Sequence, residues 1–114
     1  MQEAAQVRVM VRVRPFDSRE LNTDKVVEVE TTRITIKNPE NRERKIFEFD
    51  SAFDTHSEQN EIFDVVGEKV LLDAYKGYNT CVFAYGQTGS GKTFTMMGAD
   101  NNYGLIPRIC NELF

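Results

Sequence analysis

Eight residues constrain this chain more than any others: Gly86-Gln87-Thr88-Gly89-Ser90-Gly91-Lys92-Thr93. They match G-x-x-x-x-G-K-[ST], a spacing in which each residue type has a physical task. Glycines admit positive φ angles and let the backbone approach a ligand without a Cβ collision. The loop amides then point inward as a nest for phosphate oxygens, and the N-terminus of a following helix adds partial positive charge. Lys92 supplies a mobile charge for terminal phosphates, and Thr93 offers a hydroxyl to Mg²⁺, a hard cation that prefers oxygen. At ordinary residue usage four such fixed positions coincide about once in 10⁴–10⁵ windows, so a chance glycine-rich turn is the weaker reading. The preceding residues agree. Residues 80–85 (Thr-Cys-Val-Phe-Ala-Tyr) are apolar nearly throughout, the pattern of a strand buried on both faces.

The rest of the chain supplies elements for an α/β fold. Val7, Val9, Val11 and Val13 alternate with Arg8, Met10 and Arg12, which predicts a strand over residues 7–13, ended by Pro15. Three short β-rich runs follow at residues 26–29, 32–36 and 46–49. They read as a small antiparallel meander whose mixed-charge turn around Pro39 is a solvated tip. Ser57 is placed as a helix N-cap, with Glu58 and Glu61 in the first turn where the dipole favours negative charge. Ile62, Phe63, Val66, Val70, Leu71 and Ala74 recur at spacings of three and four, one apolar stripe that Gly77 brings to a stop.

Charge and cysteine usage exclude several functions. With 14 basic and 18 acidic side chains in 114 residues the net charge is −4, and the pI is near 5.0. That balance argues against nucleic-acid binding, and against docking on an acidic polymer by charge alone. No apolar run reaches the roughly 18–20 residues that span a bilayer, so membrane insertion is not expected. MQEAAQVRV has neither the basic nor the apolar part of a secretory leader. Cys81 and Cys110 have no metal-like spacing, and a reduced intracellular compartment is the simplest expectation. Cys81 reads as core filler, Met96 and Met97 as core contacts, and His56 as a surface residue.

Taken together, Gly77-Tyr78-Asn79, Phe83-Ala84-Tyr85-Gly86-Gln87-Thr88, Gly91-Lys92-Thr93 and Thr95-Met96-Met97-Gly98 resemble the P-loop region of kinesin motor domains. Arg12-Val13-Arg14-Pro15 is similar to that family's R-x-R-P motif, and Gly104-Leu105-Ile106-Pro107-Arg108 to its G-x-I-P-R segment. Phe49-Asp50 is a further family-like pair, and the resemblance covers about residues 6–114. The wording TMMG and GLIPRICNELF leans toward the class-three, vesicle-transporting branch.

The resemblance implies an incomplete P-loop NTPase sheet of kinesin-motor type with a small antiparallel meander. Residues 1–114 would be the N-terminal portion of the motor domain. It implies ATP or ADP with Mg²⁺ as ligands, Lys92 on the β- and γ-phosphates and Thr93 on the metal. Gln87, Thr88, Gly89, Ser90, Gly91, Lys92 and Thr93 would cradle the β-phosphate, while Arg12, Arg14 and Pro15 would flank adenine, with Tyr85 or Phe94 nearby. Microtubules would be the partner, reached through other parts of the motor, and the cytoplasm and cytoskeleton the location. The family's N-x-x-S-S-R-S-H and D-L-A-G-S-E switch motifs are not among these 114 residues. Hydrolysis by this stretch alone is therefore not expected, since a γ-phosphate sensor and a positioned water are also needed. The alternatives are a non-catalytic nucleotide-binding or interaction module and another P-loop enzyme such as a nucleotide kinase. The family fold also sets later strands beside residues 81–85, and without them this apolar run would be left with open edges.

Overall fold

The structure, a computed structural model, describes residues 7–114; of residues 1–9, from which the lack of a leader is expected, the first six lie outside them. The chain divides between His56 and Ser57 into two compact units.

In the first unit the valine-rich run forms β1 (Met10–Arg12), shorter than the alternation predicts. It pairs in parallel with β5 (Ser51–Phe53), with Met10 opposite Ser51 and Arg12 opposite Phe53. The amides of Val13 and Asp50 lengthen this contact by donating to the carbonyls of Phe53 and Val9, each at 2.9 Å. The meander forms as expected from β2 (Val27–Glu30), β3 (Arg33–Lys37) and β4 (Arg44–Glu48), in that order. Its register places Val29, Ile34 and Phe47 side by side, and Ile34, 5% exposed, is the one buried hydrophobic among the described residues of this unit. Arg33 and Glu48 face each other across β3 and β4, with the guanidinium Nε 2.7 Å from the carboxylate. That hydrogen bond, with a second from Thr32, holds the Glu48 carboxyl below its ordinary range. The tip is solvated, and the side chains of Asn38 and Asn41 accept from the amides of Glu40 and Glu43 to shape it.

In the second unit a continuous helix runs through α1 (Gln59–Ile62), a π-helical turn (Phe63–Gly67) and α2 (Glu68–Tyr75). The cap is Glu58 rather than Ser57. Glu58 accepts from the Glu61 amide while Glu61 accepts from the Glu58 amide, a reciprocal box that satisfies two orphan donors together. Gly67 is buried where a Cβ would lie 2.4 Å from the Phe63 ring, so the ring covers the helix surface that a larger residue would occupy. Ile62, Leu71 and Leu105 form the core of this unit, at 3%, 7% and 4% exposure. Past Gly77 the chain runs through residues 78–87 without regular structure. It then enters α3 (Lys92–Met96), a two-residue hairpin of β6 (Gly98–Ala99) and β7 (Asn102–Tyr103), and α4 (Leu105–Leu113). Tyr75 ties α2 to α4 by donating its hydroxyl to the Glu112 carbonyl at 3.0 Å.

The strand expected over residues 80–85 is absent. Phe83 is 80% exposed, Cys81 is exposed rather than core, and Met97 is exposed while Met96 is half-buried. An apolar run becomes a strand only when neighbouring strands take its amides and carbonyls, and no described strand pairs with it. His56 is exposed, as expected.

Candidate functional site: the glycine-rich loop

The loop closes through one tight turn, in which the Ser90 amide donates to the Gln87 carbonyl at 3.1 Å. Gly91 then caps α3 with φ +102°, a left-handed conformation that a side chain would disfavour. The first amides of α3, like those of any helix, have no intrahelical acceptor. Across the loop the Lys92 ammonium donates to the Gly86 carbonyl. A Cβ at Gly86 would sit 2.5 Å from the Ser90 hydroxyl oxygen, so the absence of a side chain there keeps the turn closed. The same Ser90 oxygen is buried without a hydrogen-bond partner, the one side-chain polar atom in that condition among the described residues.

Of the residues singled out in the sequence, Gly86, Ser90 and Lys92 are in direct contact, and Gln87 closes the turn between them. Thr88, Gly89 and Thr93 are exposed around it. Tyr85, before the loop, is 98% exposed, and Phe94, after Thr93, is 38% exposed; neither ring is buried against the loop. Arg12, Arg14 and Pro15 belong to the first unit, at and just after β1. Arg14 grips Glu20 with both terminal nitrogens, at 2.7 and 3.1 Å, and also donates to the Pro15 carbonyl at 3.0 Å. The paired hydrogen bond raises the Arg14 pKa and holds the Glu20 carboxyl below its ordinary range, helped by the Asp17 amide.

The donor set fits a magnesium nucleotide. A closed glycine-rich turn, a lysine ammonium held on a loop carbonyl and a threonine hydroxyl at the helix start suit phosphate oxygens and one hard cation that keeps most of its waters. Among the described residues no group of three His, Cys, Asp or Glu side chains is placed to hold a metal ion.

Two residues escape a reading of the sequence. Glu20 lies in a polar run with no periodicity, and only the loop's turn brings it to Arg14. Gln59 is 3% exposed and donates to the Phe94 carbonyl at 2.7 Å. Its signal was present, since Gln59, Ile62 and Phe63 share the helix spacing of the apolar stripe.

A closed glycine turn, a left-handed cap and a lysine and threonine opening a helix define the P-loop class. Within that class, the model of the kinesin motor domain matches residues 12–114, and the chain belongs to the kinesin motor-domain family. It is 41% identical to human "Kinesin-like protein KIF1B" over 96% of its length and 46% identical to Drosophila melanogaster "Kinesin-like protein Klp98A" over 95%. These matches, with one to mouse KIF13A at 45% identity, fit the lean toward the vesicle-transporting branch. Among solved structures it resembles KIF14 with ADP in complex with a microtubule, at TM-score 0.87 and 40% identity over 95% of this chain. The chain spans only 7% and 10% of those two curated relatives and 32% of the KIF14 chain.

Proposed function

We propose that these residues are the nucleotide-binding, N-terminal part of a kinesin-type microtubule motor domain, taking ATP and ADP with Mg²⁺. The observation that carries this reading is the lysine on the loop: the Lys92 ammonium rests on the Gly86 carbonyl, in a turn whose Ser90 hydroxyl oxygen is buried without a partner. An ammonium held by one neutral acceptor can exchange it for a phosphate oxygen at small cost and gain a charge-assisted bond. Lys92 would take the β- and γ-phosphates, and the amides from Gln87 to Thr93 the β-phosphate. Ser90 gains a partner within the filled cradle. Thr93 would donate its oxygen to Mg²⁺, which when bound neutralises phosphate charge. Arg12, Arg14 and Pro15 are assigned to adenine; the grip of Glu20 uses the edge of the Arg14 guanidinium and leaves its plane for stacking.

The KIF14 structures it resembles are of complexes with a microtubule, and this chain is assigned the same partner and a cytoskeletal setting on that likeness. No helix among the described residues is long and apolar enough to cross a membrane. Titration with fluorescent ATP and Mg²⁺ tests the reading. Saturable binding is expected, weakened roughly tenfold or more by Lys92→Ala, since a bond to a charged group contributes about 1.5–3 kcal/mol. Absence of saturable binding would sink it.

A further inference from the structure

The helix that follows the loop is too short to hold itself. With five residues, α3 falls far below the roughly 12–15 residues at which an isolated helix becomes marginal in water, and its last carbonyls run beyond its last amides. The Thr93 carbonyl is met by the Met97 amide at 2.8 Å. The next carbonyl, that of Phe94, is met from the side by the Gln59 amide group at 2.7 Å. Gln59 opens α1 and is the one polar residue among the buried ones described, at 3% exposure. Burying an amide is costly unless it is bonded, and the acceptor it finds belongs to the residue directly after Lys92 and Thr93.

We propose that Gln59 is a positioning residue for the phosphate loop. By holding the Phe94 carbonyl it fixes the first turn of α3, and so fixes where the Lys92 ammonium and Thr93 hydroxyl stand against the loop amides. The inference rests on the nucleotide reading above and deepens it. Gln59 itself touches no phosphate; it acts through the backbone of α3.

The test uses the purified protein at low temperature with three substitutions. Gln59→Met keeps length and packing but cannot donate. Gln59→Glu keeps the shape and turns a carboxylate on the Phe94 carbonyl. Leu71→Val, at a buried position of α2, lowers stability while leaving the Gln59 and Phe94 groups themselves unchanged. Three readouts are taken: affinity for fluorescent ATP with Mg²⁺, the unfolding midpoint without nucleotide, and the carbon-13 carbonyl resonance of labelled Phe94. The expected result is an affinity about tenfold weaker for Gln59→Met, the worth of one hydrogen bond of about 1.4 kcal/mol, and weaker still for Gln59→Glu. The Phe94 resonance should shift in both. Leu71→Val should melt lower yet bind like the unsubstituted protein and leave that resonance in place. Affinity within twofold of the unsubstituted protein in both Gln59 variants would overturn the inference. So would an affinity loss in Leu71→Val that scales with stability as theirs does. If the unsubstituted protein shows no saturable binding, the nucleotide reading itself fails and takes this inference with it; binding that ignores Gln59 removes the inference alone.

Discussion

Glu20 and Arg14 show how a residue assigned to a ligand is prepared by one that is not. A fork of two hydrogen bonds joins them, and the Glu20 carboxylate also accepts from the Asp17 amide. Hydrogen bonding to the charged form lowers the Glu20 pKa in the folded state. The sign of the pH effect follows. The pair's contribution is fully present above the ordinary glutamate value of about 4.3 and is lost as pH falls through the lower folded value. A carboxyl-carbon NMR titration should therefore place the Glu20 midpoint below that ordinary value, and Arg14→Ala should raise it, with the Asp17 amide still holding part of the shift. An unmoved midpoint in Arg14→Ala would show that the fork is not the cause. The motif was legible in the sequence because R-x-R-P is local. Its partner was not, because Glu20 lies six positions beyond Arg14 in an irregular stretch and no periodicity links them.

At the scale of elements, patterns that close within a few residues were readable. The meander and the helix beginning at Gln59 both follow from alternation or three–four spacing, and Gly77 ends the helix with φ +87°. Features that depend on a distant partner were not readable. Residues 51–53 carry no strand signature of their own and become β5 because β1 lies beside them, while residues 80–85 carry a strong one and form no strand. The hairpin of β6 and β7 likewise rests on one backbone position. Gly98 has φ +85°, and a Cβ there would meet the Asn102 carbonyl at 2.2 Å and the Gly104 amide at 2.4 Å. Neither neighbour is a side chain that can swing aside. Gly98→Ala should cost roughly 1–3 kcal/mol, from a strained left-handed residue alone, seen as a lower denaturation midpoint in urea. An unchanged midpoint would mean that the hairpin does not depend on this approach. Both strands of it should also lose amide protection.

The molecule as a whole has little core for its length. Four hydrophobic side chains are buried among the described residues, Ile34 in the first unit and Ile62, Leu71 and Leu105 in the second, while Phe83, Tyr85 and Tyr78 stand largely in solvent. The purified protein should unfold broadly below about 45 °C and bind a hydrophobic dye before melting. A sharp transition above that temperature would contradict the expectation. Phe83→Ser should raise solubility without lowering the midpoint, since the ring is 80% exposed and its removal costs no packing. The open stretch also bears on digestion. A protease that cuts after aromatic residues needs an extended, accessible segment, and residues 78–87 offer Tyr78, Phe83 and Tyr85 in one. Limited cleavage should begin there, separating the long helix from the lysine-bearing loop at a single seam, so that a time course of two fragments on a gel becomes a gauge of whether anything has come to lie along that seam.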